Sequence, residues 1–249
     1  MVKGSIKLPI FMSEAETNHI FHEVVASIPK NTRVFLVGGA IRNALYYRYF
    51  SKALPKRDYD LLLIGDVNKF VSNLRRIKFT YGKIRRKHEI VLKKKKISKP
   101  KHLSDYVYLD IHISKEKNIK KNIKENSNFT INCSALPLKE VISENWSKKI
   151  ISLPFALTDL KNKQIWVNKF THPANLYACI RFMSKGFKKP SKKEIEGLLF
   201  SLKKLEKYKF KRNVNKVFDY VGGEKKARQL SKRLGIKENI FDFETIRRL

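Results

Sequence analysis

The stretch Phe35-Leu-Val-Gly-Gly-Ala-Ile-Arg42, followed later by Arg57-Asp-Tyr-Asp-Leu-Leu-Leu-Ile64, decides the fold. Residues 33–37 predict a buried strand, Gly38-Gly39 a turn, and the residues from Ala40 onward a helix. Glycines at this junction let the backbone approach a ligand closely, and the N–H groups at the helix N-terminus attract anions. The first half of the pattern therefore predicts a phosphate-binding turn.

The second half of the pattern places two carboxylates on one face of a strand. Asp58 and Asp60 flank Tyr59, so both side chains point to the same side, with Cβ atoms roughly 6–7 Å apart. Two carboxylates at this distance repel each other unless a divalent cation lies between them. An acidic turn in front of an ordinary strand is the alternative, and the pair alone does not decide between the two interpretations.

A third acid lies on a later predicted strand. Residues 106–113 alternate in the way a strand does, and Asp110 lies within them. Three carboxylates on adjacent strands suit two Mg²⁺ ions about 3.5–4 Å apart, one activating an attacking hydroxyl and one stabilising a leaving pyrophosphate. The predicted cofactor is therefore Mg²⁺ or Mn²⁺. The predicted catalytic and metal-binding residues are Asp58, Asp60 and Asp110.

Taken together, the motifs resemble those of class II tRNA nucleotidyltransferases and bacterial-type poly(A) polymerases, in the polymerase-β-like nucleotidyltransferase superfamily. The resemblance extends from about residue 33 to about residue 187, and its motifs follow the family's order. The matching segments are residues 36–43 (LVGGxVRD in the family), 58–60 (DxD), 109–111 (the strand of the third acid), 129–136 (FTINAL), 157–165 (GxxDLxxxxI) and 180–182 (RAxRF).

The resemblance implies an α+β fold with two domains. A small mixed-sheet nucleotidyltransferase head, ending near a predicted strand at residues 164–167, would occupy residues 1–168. An all-helical neck that binds RNA would occupy residues 169–249.

The resemblance also implies a metal-dependent, template-independent enzyme that adds nucleotides to the 3′ end of an RNA. ATP is the expected first substrate and CTP the other. The phosphate-binding turn and the arginine after it would hold the triphosphate, and residues further along would contact the rest of the nucleotide. The predicted nucleotide-binding residues are Gly38, Gly39, Arg42, Asn128, His172, Asn175 and Arg181.

Several nucleotide-binding side chains of the family are replaced in this chain. Residues 126–128 are Asn-Ser-Asn where the family has Arg-Arg-Asp, so charge expected to contact the triphosphate and ribose is lost. His172 and Asn175, three apart on one predicted helical face, replace an Asp–Arg pair that contacts the base. We therefore expect an altered choice between ATP and CTP. A catalytically silent relative that serves as the RNA-binding subunit of a ribonucleoprotein is the alternative function.

The chain is strongly basic, with a formal charge of +33 from 55 Lys and Arg against 22 Asp and Glu. Such an excess favours RNA as partner, because each neutralised phosphate releases counterions. A solvated surface of biased composition is the alternative. The predicted RNA-binding residues are Arg85, Arg86, Lys93, Lys94, Lys95 and Lys96. Residues 207–212 interleave Tyr208 and Phe210 with basic residues and predict base stacking, although aromatics at helical spacing more often form core.

At 249 residues the chain is shorter than family members with a helical body and tail. We therefore expect a protein partner or a second copy to replace the RNA-anchoring tail. No segment has the apolar length of a membrane span or the apolar core of a signal peptide, which predicts a soluble, cytoplasmic protein without a membrane partner. Cys133 and Cys179 lie in segments that are predicted to be helical and partly buried, and both are expected to be reduced thiols.

Overall fold

The computed structural model describes residues 15–52, 58–82, 89–96 and 105–248. The predicted RNA-binding residues Arg85 and Arg86 lie outside these ranges. The chain divides into two compact units. The first unit consists of the described residues within Met1–Asn126 together with Asn132–Leu153, and the second of those within Ser127–Ile131 and Pro154–Leu249.

The first unit is built on a seven-stranded sheet in the order β3-β4-β5-β2-β1-β6-β7. Its strands are β1 (Arg33–Val37), β2 (Tyr59–Ile64), β3 (Thr80–Tyr81), β4 (Glu89–Lys95), β5 (Tyr106–Ile113), β6 (Ser134–Pro137) and β7 (Ile151–Ser152). Its helices are α1 (Ala15–Ala26), α2 (Gly39–Phe50), α3 (Val67–Arg76) and α4 (Ile119–Asn126). Strands β2 and β5 are parallel, whereas the other neighbouring strands are antiparallel. The predicted α+β class with a mixed sheet is thus confirmed.

The central strands are apolar because both of their faces are covered. Leu61 and Leu63 of β2 are fully buried, and Leu62 between them is nearly so. Helix α2 buries Ile41 and Leu45 among its apolar side chains. A strand buried on both faces has a continuous apolar sequence rather than an alternating one. Burial on both faces explains why β2 has a continuous apolar sequence after its first two residues.

The second unit is helical. Its helices are α5 (Pro154–Lys161), α6 (Asn175–Met183), α7 (Lys192–Leu202), α8 (Lys207–Val221), α9 (Glu224–Arg233) and α10 (Phe243–Arg248). Ser191 and Glu194 form a capping box at the start of α7, which satisfies two backbone N–H groups. The buried Tyr177 hydroxyl of α6 donates to the carbonyl of Ile240, 2.7 Å away. These contacts fix the helices around one apolar core.

The expected strand at residues 164–167 is wrong, because this segment does not join the sheet. Val167 forms only an isolated bridge with Phe129, and the Trp166 carbonyl accepts from the Thr130 N–H at 3.1 Å. Phe129 and Thr130 both belong to the segment Ser127–Ile131 of the second unit. The boundary expected between residues 168 and 169 therefore falls inside the second unit, whose contiguous part starts at Pro154.

Both cysteine side chains are buried, Cys133 in the first unit and Cys179 in the second. Burial raises the pKa of the Cys179 thiol well above its ordinary value. Within the described ranges, no helix combines the length and the apolar character that crossing a bilayer requires.

Candidate active site

Two of the predicted acids lie side by side in the sheet. Strand β2 pairs in parallel with β5, and Asp60 stands opposite Asp110 in the register. Neighbouring strands lie about 4.8 Å apart, and residues directly opposite each other share a face of the sheet. Asp110 is 8% exposed, whereas the Asp60 side chain is 36% exposed. The predicted adjacency of the two strands is confirmed, and it gives one buried and one accessible carboxylate.

The glycine turn lies beside the Asp60 carboxylate. Gly38 has φ +68°, and a Cβ built on it would lie 3.1 Å from Asp60 Oδ2. The left-handed conformation and the close approach both require glycine. Helix α2 begins at Gly39, so N–H groups of its first turn follow directly. The predicted phosphate-binding turn and one predicted metal-binding carboxylate therefore meet.

Arg42 lies on the first turn of α2 behind these glycines. Its Nη2 would be 3.4 Å from a Cβ on Gly39. Its Nε and Nη2 donate to Asn43 Oδ1 at 3.1 and 2.8 Å, and its Nη1 donates to Asn132 Oδ1 at 2.8 Å. Amide oxygens carry no net charge, so these bonds orient the guanidinium without cancelling its charge. Asn43, which replaces an Asp in the resembling motif, is thus a positioning residue for Arg42.

Two further side chains join the site that the sequence did not indicate. His112 Nε2 lies 3.8 Å from Asp60 Oδ1, and His112 Nδ1 lies 3.5 Å from Glu89 Oε1. Hydrogen bonding to Asp60 raises the pKa of His112, with help from the charges of Asp60, Glu89 and Asp110 and against the effect of burial. Glu89 stands opposite His112 on β4. His112 lies two residues after Asp110 on β5, so the two side chains share a face of the sheet. This alternation was the sequence signal that could have indicated His112.

The remaining predicted acid, Asp58, is exposed and lies directly before β2. In the part of the chain that the structure describes, no three His, Cys, Asp or Glu side chains converge as ready-made metal ligands. Mg²⁺ does not need such a cage, because it usually keeps several waters and binds one or two carboxylates together with substrate phosphates. The carboxylate oxygens of Asp60 and Asp110, next to the predicted phosphate-binding turn, fit this kind of site.

The other predicted nucleotide-binding residues belong to the second unit. Asn175 is the first residue of α6, so the expectation that His172 shares a helical face with it is wrong. Asn175 is 2% exposed and its Nδ2 donates to the Lys169 carbonyl at 2.8 Å, whereas His172 is exposed. The Asn128 carbonyl accepts from the backbone N–H of residue 168 at 2.9 Å. The Arg181 guanidinium lies 5.8 Å from the centre of the Tyr220 ring.

The predicted RNA-binding lysines differ in exposure. Lys93, Lys94 and Lys95 are part of β4, and Lys96 directly follows it. Lys94 forms an ion pair with Glu23 of α1, and Lys93 Nζ lies 5.0 Å from the centre of the Tyr106 ring. Of the four residues, Lys96 is buried and Lys95 is exposed.

No protein-family profile matches the chain, and no curated protein sequence matches it. Solved structures do match its fold. A Thermotoga maritima CCA-adding enzyme complexed with tRNA is 18% identical, with a TM-score of 0.63 over 88% of this chain and 51% of that one. A CCA-adding enzyme in complex with CTP is 19% identical, with a TM-score of 0.66 over 96% of this chain and 54% of that one.

A third match is a tRNA nucleotidyltransferase complexed with a primer tRNA and an incoming ATP analogue. It is 18% identical, with a TM-score of 0.57 over 82% of this chain and 58% of that one. The chain thus spans about half the length of the enzymes that it resembles. Over that length it has a fold similar to that of the CCA-adding enzymes.

Proposed function

We propose that this protein is a metal-dependent, template-independent RNA nucleotidyltransferase that adds nucleotides, AMP from ATP foremost, to RNA 3′ ends. The observation that carries the proposal is the in-register pair of Asp60 and Asp110 beside the Gly38 turn. A carboxylate pair next to a phosphate-binding turn suits transfer of a nucleotide from a triphosphate. CCA-adding enzymes, whose fold is similar, support the same reaction class.

Asp58, Asp60 and Asp110 would hold Mg²⁺ or Mn²⁺. Such a cation, when bound, lowers the pKa of a 3′ hydroxyl and neutralises charge on the leaving pyrophosphate. Asp110 is buried, so its carboxylate is held in one place for this task. The more exposed Asp60 lies beside Gly38 of the turn. The negative charges of Asp60 and Asp110 also attract the His112 side chain, whose Nε2 lies 3.8 Å from Asp60 Oδ1.

The residues of the turn would hold the triphosphate. Backbone N–H groups after Gly38 and Gly39 donate to phosphate oxygens at the N-terminus of α2. The charge of Arg42, fixed by its two amide partners, attracts the same phosphates. Among the second-unit residues, the exposed His172 is the candidate for contact with the base, together with Arg181 and Asn128, whereas the buried Asn175 supports the segment that carries His172.

The test is incorporation of labelled ATP or CTP into bulk tRNA, with Mg²⁺ or Mn²⁺ and with EDTA as the blank. Asp60→Asn and Asp110→Asn should each lower incorporation by several orders of magnitude, because each removes one charged metal ligand but keeps the side-chain shape. The matched control is Asp105→Asn, an exposed aspartate just before β5, which should retain the wild-type rate. Full activity of either site variant would contradict the mechanism.

The buried Asn175 and the uncharged residues at 126–128 favour one alternative, a catalytically silent RNA-binding subunit. The same assay separates the two functions. Wild-type protein that binds tRNA but incorporates neither nucleotide with either cation would establish the alternative and exclude the enzyme.

A further inference from the structure

The turn between α7 and α8 carries the two most exposed aromatic rings in the described part of the chain. Phe200, near the end of α7, is 63% exposed, and Tyr208, near the start of α8, is 67% exposed. Single exposed aromatics are common on protein surfaces, but neighbouring ones mark sites of interaction. Only residues 203–206 separate α7 from α8, so the two exposed rings stand on either side of one short turn.

The fold does not need these rings. Leu205 of the turn and Phe210 of α8 are buried and supply the apolar packing there, and the Phe210 ring lies 6.4 Å from the Tyr177 ring. Of the two aromatic residues in 207–212, one is therefore buried and the other is exposed. Phe210 is core, whereas Tyr208 is directed away from it.

Each exposed ring has an ammonium group over it. Lys204 Nζ lies 5.1 Å from the centre of the Phe200 ring, and Lys209 Nζ lies 5.3 Å from the centre of the Tyr208 ring. Such a pair combines a flat aromatic ring with a positive charge close to its face. This is the combination that single-stranded nucleic acid requires, because its bases stack on rings and its phosphates pair with cations.

The charge around the rings is positive. Glu206 is the one acid between residues 203 and 212, and its Oε2 lies 2.9 Å from Lys209 Nζ. Lys204 has no carboxylate partner within the described residues, and Arg247 of α10 donates to the Lys203 carbonyl at 3.2 Å. We name this surface the basic corner. Its residues are Phe200, Lys203, Lys204, Lys207, Tyr208 and Lys209.

We propose that the basic corner binds an unpaired stretch of RNA, with one base stacked on Phe200 and one on Tyr208. The inference rests on the proposed function only in taking RNA as the partner. An acidic protein could pair with the lysines, but it would offer no bases to stack on the two rings. A duplex would satisfy the lysines as well, but its bases are already stacked on one another and are not available to the rings.

The test compares binding of a fluorescent oligouridylate with binding of an RNA hairpin whose paired strands are joined by a polyethylene-glycol linker instead of a nucleotide loop, so that it has no unpaired base. Both are measured by anisotropy at low salt. Phe200→Ala and Tyr208→Ala should each raise the Kd for oligouridylate about tenfold, and the hairpin Kd less than about twofold. Tyr208→Phe keeps the ring and should retain the wild-type Kd. The matched control is Tyr81→Ala, which removes a 48% exposed ring of the first unit that lies under Arg75.

A second readout follows stacking directly. In Tyr208→Trp the new indole should keep the affinity, and its emission should be quenched when oligouridylate binds but not when the hairpin or a poly-glutamate peptide binds. Unchanged affinity in both alanine variants would overturn the proposal. Equal losses for oligouridylate and hairpin, or quenching by the peptide, would also overturn it.

These measurements need neither a nucleoside triphosphate nor a cation. A chain that incorporates no nucleotide would therefore refute the proposed function without affecting this result. An oligouridylate Kd that neither Phe200→Ala nor Tyr208→Ala changes would refute RNA binding at the basic corner alone.

Discussion

Two segments of this chain are rich in lysine and have opposite surroundings. Lys93–Lys96 belongs to or directly follows a strand inside the seven-stranded sheet, and there Lys94 forms an ion pair with Glu23 while Lys96 is buried. In the basic corner, the lysines lie in the turn after α7 and at the start of α8, and two of them lie next to exposed rings. The first segment uses much of its charge within the protein, whereas the second presents its charge to solvent.

The difference comes from the neighbours of each segment. β4 has a strand on either side, and its Lys94 side chain meets Glu23 of α1. A helix end has neighbours on one side only, and the remaining lysines extend into water. A run of lysines in a sequence therefore predicts net charge more reliably than it predicts an RNA-binding surface. The following predictions test this contrast, from the largest expected effect to the smallest.

Removing the charge of Lys94 should destabilise the protein. The Lys94 and Glu23 side chains are 16% and 29% exposed, so Lys94→Met leaves a partly buried carboxylate without its partner and should lower the free energy of unfolding by about 1–3 kcal/mol. Lys95→Met, at the exposed neighbouring position, should change it by less than about 0.5 kcal/mol. Urea unfolding followed by circular dichroism measures both.

Equal stability of the two methionine variants would show that Lys94 is as expendable as a surface lysine. The contrast between the two segments would then fail at its first premise.

The basic corner should dominate the salt dependence of RNA binding. Lys204→Gln with Lys207→Gln removes two phosphate contacts, so the slope of log Kd against log salt should become shallower by about 1.4, at about 0.7 per contact for single strands. Lys225→Gln with Lys226→Gln on α9 is the matched control, since both of these lysines are exposed on a helix. Titrations of oligouridylate at several salt concentrations supply the slopes. A larger change in the control pair would move the RNA site to α9.

Each unit contains one buried thiol that reports on its opening. In moderate urea, Lys94→Met should accelerate labelling of Cys133 by about tenfold if it costs about 1.4 kcal/mol, because labelling follows the population of opened molecules. The labelling rate of Cys179, in the other unit, should not change. Mass spectrometry of iodoacetamide-treated protein distinguishes the two sites, and equal acceleration at both would mean that the units unfold together.

The smallest effect concerns the cap of α10, which supports the basic corner through Arg247. The Asp242 carboxylate accepts from the Thr245 N–H and hydroxyl at 2.8 and 2.7 Å, and these hydrogen bonds lower the pKa of Asp242. A lowered folded-state pKa means stabilisation that is complete above the ordinary carboxyl pKa and is lost as the pH falls through the folded value.

Asp242→Asn keeps an N-cap acceptor but cannot titrate. Its thermal stability should therefore be slightly below that of wild type at pH 6, and the gap should close as the pH falls from 5 to 3. A gap that stays constant with pH would show that the charge of Asp242 contributes nothing to the cap.

Much of the fold followed from local sequence signals. The glycine turn and the acids flanking Tyr59 predicted β1, α2 and β2, and the alternation around Asp110 predicted β5 as the neighbour of β2. The false strand at residues 164–167 has an apolar pattern too, but its hydrogen bonds go to the segment around Thr130. Short apolar runs do not reveal which partner they will pair with.

The rest of the site depends on contacts that the sequence does not display. Glu89 reaches His112 only because β4 pairs with β5 in one register, and Lys94 meets Glu23 across 71 positions of the chain. Asn175 matches a base-reading position in the resembling motif, but the start of α6 buries it. Cross-strand register and helix start points decide these roles, and both are set by tertiary packing.

The parallel pairing of β2 with β5 also has a consequence for folding. Asp60 and Asp110 become neighbours only when two strands far apart in the chain align, and parallel strands cannot be joined by a tight hairpin. Non-local pairing of this kind forms slowly, because the loop between the strands must be closed before their contacts form. Two like charges at the junction oppose that step further. We therefore expect the acid pair to be among the last features of the first unit to reach its native arrangement, after the β1–β2 hydrogen bonds have formed.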